Sequence, residues 1–323
     1  MAKGLRQSLA PIALFAYRRP DHLAKTVAAL RANQEAKESI LYVFSDAAKD
    51  VASAKDVDAV RAELQNIGGF AQVHLIFHEQ NLGLAENITR GVSAVLSQHD
   101  SVIVVEDDVV VSAYFLLFMN EALALYADEK RVGSISGYCY PLSGVSAETF
   151  FIRGADCWGW ATWRDRWRYY NPDGRTLLAE LTERNLEQSF DFDGAMGYTQ
   201  MLKDQIEGKN DSWAVRWHAS CFLRDLLILY PGRTLVCNIG NDGSGTHATM
   251  SDESYTSALS ARPIVLARIP IEQNATARAA ILDFFKASQE PSCATPESKE
   301  LSSSGFLLRL TRKFFGSGER DLQ

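Results

Sequence analysis

Three carboxylates in a row, Glu106-Asp107-Asp108, follow the apolar run Ser101–Val105 and are the sharpest chemical feature of the chain. Their charges repel one another, and a strand end facing a cleft is an unfavourable place to gather them. A divalent cation resolves that repulsion, because hard carboxylate oxygens are the ligands that Mg2+ and Mn2+ prefer. Such ions keep positions open that phosphate oxygens can fill. Side chains alternate along a strand, so Glu106 and Asp108 share one face and Asp107 takes the other. The plainer explanation is a solvated turn or a helix cap, where Asp is common.

Other candidates sit at the ends of apolar runs. Arg18 and Arg19 follow PIALFAY, and Asp46 follows ILYVFS. Asn81, Gly83 and Asn87 lie in a loop and the helix after it; Gly83 can take positive φ, and an Asn amide both donates and accepts. The plainer reading of that loop is a turn before a helix N-terminus. In the second half, His247 stands in Gly-Ser-Gly-Thr-His, where glycines would let the backbone approach a ligand closely. Asp211 precedes Ser212-Trp213, where its plain reading is a helix N-cap. Trp158, Trp160, Trp163 and Trp167 form an aromatic run suited to stacking on sugar faces, with Asp156 beside it for hydroxyl groups. The spacing of Trp160, Trp163 and Trp167 also matches a helical core face.

The elements that must position these residues are legible as an alternation. Apolar strands are expected at Pro11–Tyr17, Ile40–Phe44, Val73–Phe77, Ser101–Val105 and Val132–Ser136. Between them fall helical patterns opening at Pro20-Asp21, spanning 51–66, carrying Leu84, Ile88, Val92 and Val95, and starting near Ser112. This is the pattern of an α/β protein with a mostly parallel sheet and helices on both faces. In such sheets ligands bind beyond the carboxyl ends of the strands, where the polar candidates of the first half lie. No GxGxxG follows the first strand and no GxxxxGK[ST] occurs, so the usual dinucleotide and P-loop phosphate cradles are missing.

Composition narrows the classes further. The chain has 323 residues, 46% hydrophobic and 23% charged, with 33 Lys and Arg against 40 Asp and Glu, for a net charge of −7. That balance disfavours nucleic acid as a partner. Five cysteines without a CxxC pair argue for a reducing compartment over a disulfide framework. The longest strongly apolar stretch, Val109–Met119, is about half of the roughly 20 residues a spanning helix needs. Lys3 and Arg6 before Leu9–Tyr17 imitate a signal peptide, but no small-residue cleavage site follows. The chain divides into an α/β half at 1–148, a Trp-rich half at 149–284 and a Ser/Pro/Glu-rich tail at 285–323, expected to be flexible. The tail closes on GFLLRLTRKFF (305–315), which could lie on an anionic membrane surface or remain unstructured.

The stretch VIVVEDDVVVSAYFLLF, with SISGY (134–138), FFIRGADCWGWATWRDRW (150–167) and the Gly-rich stretch near 240, resembles the N-acetylglucosaminyltransferase I group of GT-A-fold glycosyltransferases. NLGLAENITRGV (81–92) is similar to the sugar-nucleotide loop of bacterial family 2 glycosyltransferases. The resemblance covers about residues 10 to 250. It implies a GT-A-like, Rossmann-type fold in which 1–148 binds the nucleotide-sugar and 149–284 forms the acceptor side of the same domain. It implies a metal-dependent, inverting transfer from a nucleotide-sugar, most simply a UDP-sugar, to a glycan or lipid-linked saccharide hydroxyl. By resemblance Asp108 would bind Mn2+ or Mg2+ on the diphosphate, with His247 as a late metal ligand, and Glu106 and Asp107 would line the donor site. Asp46 would meet the nucleobase, Arg19 with Arg18 the nucleotide, and Asn81, Gly83 and Asn87 the diphosphate-sugar. Asp156 and Trp158 would contact the sugars, and Asp211 would be the base, with Asp204 and Glu207 as further carboxylates. The unpaired cysteines and the lack of a convincing signal or spanning segment in this sequence point to a bacterial cytoplasmic or inner-membrane-face enzyme of surface polysaccharide synthesis. The alternatives are a sugar nucleotidyltransferase, whose Gly-rich basic loop AYRRPDH lacks, or a non-catalytic carbohydrate-binding or scaffold protein.

Overall fold

The computed structural model describes residues 9–240, 255 and 257–289. Five early strands, β1 (Ile12–Ala16), β2 (Ile40–Ser45), β3 (Gln72–Phe77), β4 (Ser101–Glu106) and the short β5 (Val109–Val111), are separated by α1 (Pro20–Arg31), α2 (Val51–Leu64) and α3 (Leu84–Gln98). After α4 (Phe115–Leu125) come β6 (Val132–Ser136), β7 (Thr149–Arg153) and β8 (Trp160–Trp163). The helices α5 (Arg164–Trp167), α6 (Gly174–Glu183), α7 (Glu187–Phe190), α8 (Tyr198–Ile206) and α9 (Trp213–Leu223) follow. The last described elements are β9 (Leu227–Pro231), β10 (Val236–Asn238) and α10 (Ala275–Gln289).

The large sheet has eight strands in the order β3-β2-β1-β4-β8-β6-β9-β7. Pairs β3-β2, β2-β1, β1-β4 and β6-β9 are parallel, while β8 and β7 run antiparallel to their neighbours. Six strands therefore point one way and two the other. The chain moves outward from β1 to β3, then returns to place β4 on the other side of β1. The crevice between β1 and β4 is thus the topological switch point, where open α/β sheets bind ligands.

Local chemistry explains these elements. Ile12, Ala13 and Leu14 are consecutive and fully buried, which only a strand covered on both faces allows. Helix α3 lays Ala85, Ile88, Val92, Val95 and Leu96 inward against β1, β2 and β4. It comes so close to β1 that a Cβ on Gly91 would fall 2.5 Å from the Phe15 ring. Pro20 opens α1, where its missing N–H is no loss. Asp50 and Ser53 form a reciprocal capping box on α2.

The expected mostly parallel sheet is found, with β8 inserted antiparallel between β4 and β6. Three expectations change. Trp160 and Trp163 belong to that strand, not to a helix, and all four of its residues are buried. The acidic triplet is followed by β5 before α4 begins at Phe115, three residues after Ser112. The proposed tail boundary at 285 falls inside α10, because Ala277, Ile281 and Phe285 repeat every four residues and are buried. No described helix is long and apolar enough to cross a membrane. The N-terminal residues 1–8, His247 and the terminal segment 305–315 lie outside the described residues.

Candidate functional site

The carboxyl ends of β1 and β4 are adjacent in register, Phe15 opposite Glu106, so Arg19 and the acidic triplet meet at the switch point. Arg19 Nη2 donates to Asp107 Oδ1 at 2.7 Å and to Asp108 Oδ2 at 2.8 Å. One guanidinium nitrogen is shared by two carboxylates. Asp107 is buried and fixed from three sides: its Oδ2 accepts from Tyr17 N, and Thr26 Oγ1 donates to its carbonyl. The Arg19 guanidinium, held between the two acids, has its pKa raised. Burial raises that of Asp107 while Arg19 opposes the rise. Glu106 is pushed up to about 8, first by burial and then by Asp108 and Asp107.

The far half of the chain closes over this cluster. β10 pairs with β5, Asn238 opposite Val109, and carries Ile239 and Gly240 across the triplet. Ile239 N donates to the Asp108 carbonyl at 2.8 Å, and His22 Nε2 contacts the Ile239 carbonyl. A Cβ at position 240 would stand 2.1 Å from Asp108 Oδ2 and 2.8 Å from Arg19 Nη1, so any larger residue there would have to displace this ion pair.

Asp46, at the end of β2, has both oxygens engaged. Its Oδ1 accepts from Ala47 N and Leu82 N, and its Oδ2 from Gly83 N and Asn81 Nδ2. The residue is 4% exposed. It does not cap α2, whose N-cap is Asp50. The geometry assigns Asp46 to shaping the 81–83 loop, and a nucleobase would have to share oxygens already occupied. Asn87 is also internal; its Oδ1 meets His78 Nε2 at 3.1 Å. Arg18 is partly exposed, with its guanidinium 5.8 Å from the Tyr17 ring centre.

Asp211 faces this loop. A Cβ on Gly83 would lie 3.6 Å from its Oδ2, and Arg216 Nη2 stands 3.6 Å from its Oδ1. Its side chain is 59% exposed. Ser212 caps α9 through its Oγ, so the cap explanation for Asp211 does not hold. The alternative carboxylates Asp204 and Glu207 are paired with Lys209 at the end of α8.

The register of β8 brings the preceding loop to the same edge. Trp160 sits opposite Val104, so residues just before it reach the level of Glu106. Asp156 is buried; its Oδ2 accepts from Tyr140 Oη at 3.0 Å, its Oδ1 from Trp158 N, and burial pushes it up to about 6. Trp158 is partly exposed and packs edge-on to Tyr138. The other five tryptophans are buried, which removes them as stacking platforms. His218 anchors this loop: its Nδ1 accepts from Ala155 N, and its Cε1 lies where a Gly154 Cβ would be.

Sequence reading missed Gly240, Arg216 and His218 as supports of the site. Gly240 lay within the Gly-rich stretch near 240, and Arg216 is one helical turn beyond Ser212. His218, inside an apolar helix, gave no signal. A separate groove of about 480 Å3 opens at the β3 edge between Tyr42, Phe44, His74, Ile76, Val95 and Gln98. Its lining contains no Asp, Glu, Lys or Arg, so it lacks the charged groups of the switch-point site.

A hard divalent cation fits the donor set. Arg19 already places a positive nitrogen within 2.8 Å of an oxygen on each of two carboxylates. Asp108 Oδ1 accepts no hydrogen bond from a described residue. Among the described residues no group of three or more His, Cys, Asp or Glu side chains is arranged to hold a metal ion, so a cation on Asp108 would need ligands from elsewhere to complete its shell.

No protein-family model and no curated protein matches the chain. Among solved structures it is similar to the mannosyltransferase PcManGT from Pyrobaculum calidifontis, solved with GDP-Man and Mn2+. The identity is 13% and the TM-score 0.29, with 42% of this chain and 40% of that one covered. The chain thus matches less than half the length of that protein. Independently of it, the sheet defines an α/β protein of the Rossmann-like class with its polar site at the switch point.

Proposed function

We propose that the protein is a glycosyltransferase that takes a sugar from a nucleotide-sugar, most simply a UDP-sugar, and delivers it to a glycan or lipid-linked saccharide hydroxyl. The observation that carries this reading is the Arg19–Asp107–Asp108 cluster at the β1/β4 switch point; Asp211 stands beside Gly83 of the loop that Asp46 holds. Asp108 would hold Mn2+ or Mg2+, and that ion would supply charge stabilisation to the leaving diphosphate. Arg19 and Arg18 place positive charge beside the same phosphates. Gly83 and Asn81 shape the loop around the sugar, while Trp158 and Asp156 lie on the acceptor side.

Asp211 is the base of this reaction. As the acceptor oxygen attacks the anomeric carbon, its proton passes to the Asp211 carboxylate. The bond between that carbon and the phosphate oxygen breaks, and the nucleoside diphosphate leaves. Inversion of configuration follows from attack opposite the leaving group. A role in bacterial surface polysaccharide assembly at the inner membrane face belongs to the same proposal.

The test is calorimetric titration with UDP, GDP and CMP, with and without Mn2+, on the native chain and on Asp108→Ala. Binding of one nucleotide that needs Mn2+ and is lost in the variant is the expected result. Hydrolysis of the matching nucleotide-sugar, with GDP-mannose included in the panel, then identifies the donor. A folded protein that binds none of the three overturns the reading and leaves the scaffold alternative.

A further inference from the structure

We propose that Arg19 is a built-in counter-ion that keeps a bare divalent cation out of the carboxylate pair, so that metal and nucleoside diphosphate enter together. This rests on the transferase reading above and names how its site is regulated.

The charge balance carries the inference. Arg19 Nη2 lies 2.7 Å from Asp107 Oδ1 and 2.8 Å from Asp108 Oδ2, and the three side chains are only 20%, 5% and 13% exposed. A guanidinium does not lose its proton in a protein, so its charge is permanent. Asp107 cannot turn away, because Tyr17 N and the Thr26 bond to its backbone hold it. Arg19 is constrained in turn. Its backbone is the N-cap of α1, and the Gly240 backbone leaves no room for even a Cβ beside Nη1.

A lone divalent cation approaching Asp108 therefore meets a fixed positive group within a few ångströms, in a partly desolvated site where like charges repel strongly. Asp108 Oδ1 is open to it, but binding there sets the cation beside the guanidinium that Asp108 Oδ2 already holds by a charge-assisted hydrogen bond. A nucleoside diphosphate changes both conditions. Its phosphate oxygens give the Arg19 fork new anionic partners and supply the remaining metal ligands, which frees Asp108 Oδ2. Metal and diphosphate then favour each other's binding, and by linkage each must raise the other's affinity by the same factor.

The experiment measures Mn2+ binding alone, by electron paramagnetic resonance, to the full native chain, Arg19→Gln and Arg19→Gln/Asp108→Asn. It is repeated with saturating UDP or GDP. Arg19→Gln is expected to bind Mn2+ alone roughly tenfold or more tightly than the native chain, since the like-charge repulsion is gone. The gain should vanish when Asp108→Asn is added. The factor by which the nucleotide tightens Mn2+ binding should shrink. If Arg19→Gln does not fold, Arg19→Met removes the charge while keeping a long side chain and should bind Mn2+ alone more tightly by a similar factor. Equal or weaker binding of Mn2+ alone by the folded variant overturns the proposal. Tighter Mn2+ binding by Arg19→Gln in a chain that binds no nucleotide would keep the counter-ion and sink the transferase reading instead.

Discussion

Gly83 and Asp211 face one another across the cleft: a Cβ on Gly83 would stand 3.6 Å from Asp211 Oδ2. The loop that follows β3 and the residue that precedes α9 are thereby set at contact distance. Gly83 has φ +76°, and its N–H reaches Asp46 Oδ2 at 3.0 Å. Its backbone conformation, not crowding by Asp211, is what requires glycine, because 3.6 Å is ordinary contact.

Gly83→Ala is therefore expected to destabilise the fold by about 1–2 kcal/mol through the left-handed backbone. The new methyl also narrows the space beside Asp211. Urea denaturation measures the first effect. No loss of stability would show that the loop relaxes to another conformation.

Asp46→Asn leaves the side chain the same size but turns one acceptor into a donor. The buried carboxylate accepts from three backbone N–H groups and Asn81 Nδ2. The new amide would point N–H groups at N–H groups, so a loss of about 2–4 kcal/mol is expected. Hydrogen exchange should show Leu82 and Gly83 amides losing protection first. Protection unchanged at those two amides would contradict the assigned role.

Asp156 sets a dependence on pH. Burial pushes its carboxyl up to about 6 from an ordinary 3.8, so the folded state holds the proton more tightly than the unfolded chain does. Its contribution to stability is greatest below pH 3.8, falls as pH rises to about 6 and is flat above. Asp156→Asn removes that slope while keeping an acceptor for Tyr140. Relative to the native chain, the variant should be more stable at pH 7 than at pH 4 by about 2 kcal/mol. Denaturant midpoints across that range measure the difference. A difference that does not vary with pH would mean the carboxyl is not desolvated.

Asp211→Asn separates chemistry from binding. The side chain is 59% exposed, so stability should change by less than about 0.5 kcal/mol. Nucleotide affinity should stay within about twofold, while turnover of the donor onto acceptor falls by about 10²–10⁴. Initial-rate kinetics on the donor found by titration provide the measurement. Full turnover in the variant would move the base elsewhere.

Much of the first half was determined by local chemistry. Apolar runs of strand length between helical repeats are sufficient to define β1 to β4, α1 to α3 and the edge where Arg19, Asp46 and the acidic triplet lie. Side-chain period and strand-end position are local properties, and they survive folding unchanged. The pairings that make the site are not local. Register between β1 and β4 decided that Arg19 bridges Asp107 and Asp108, and pairing of β10 with β5 decided that Gly240 covers them. The antiparallel insertion of β8 decided that Trp160 and Trp163 enter the core while Asp156 and Trp158 reach the site. The same holds for Asp46. Its carboxylate reads in sequence as a ligand contact, yet three-dimensional closure of the 81–83 loop filled its oxygens with protein N–H groups. Residue type and spacing determine which chemistry is possible; only tertiary contact decides which charges are already neutralised and which remain to meet a ligand.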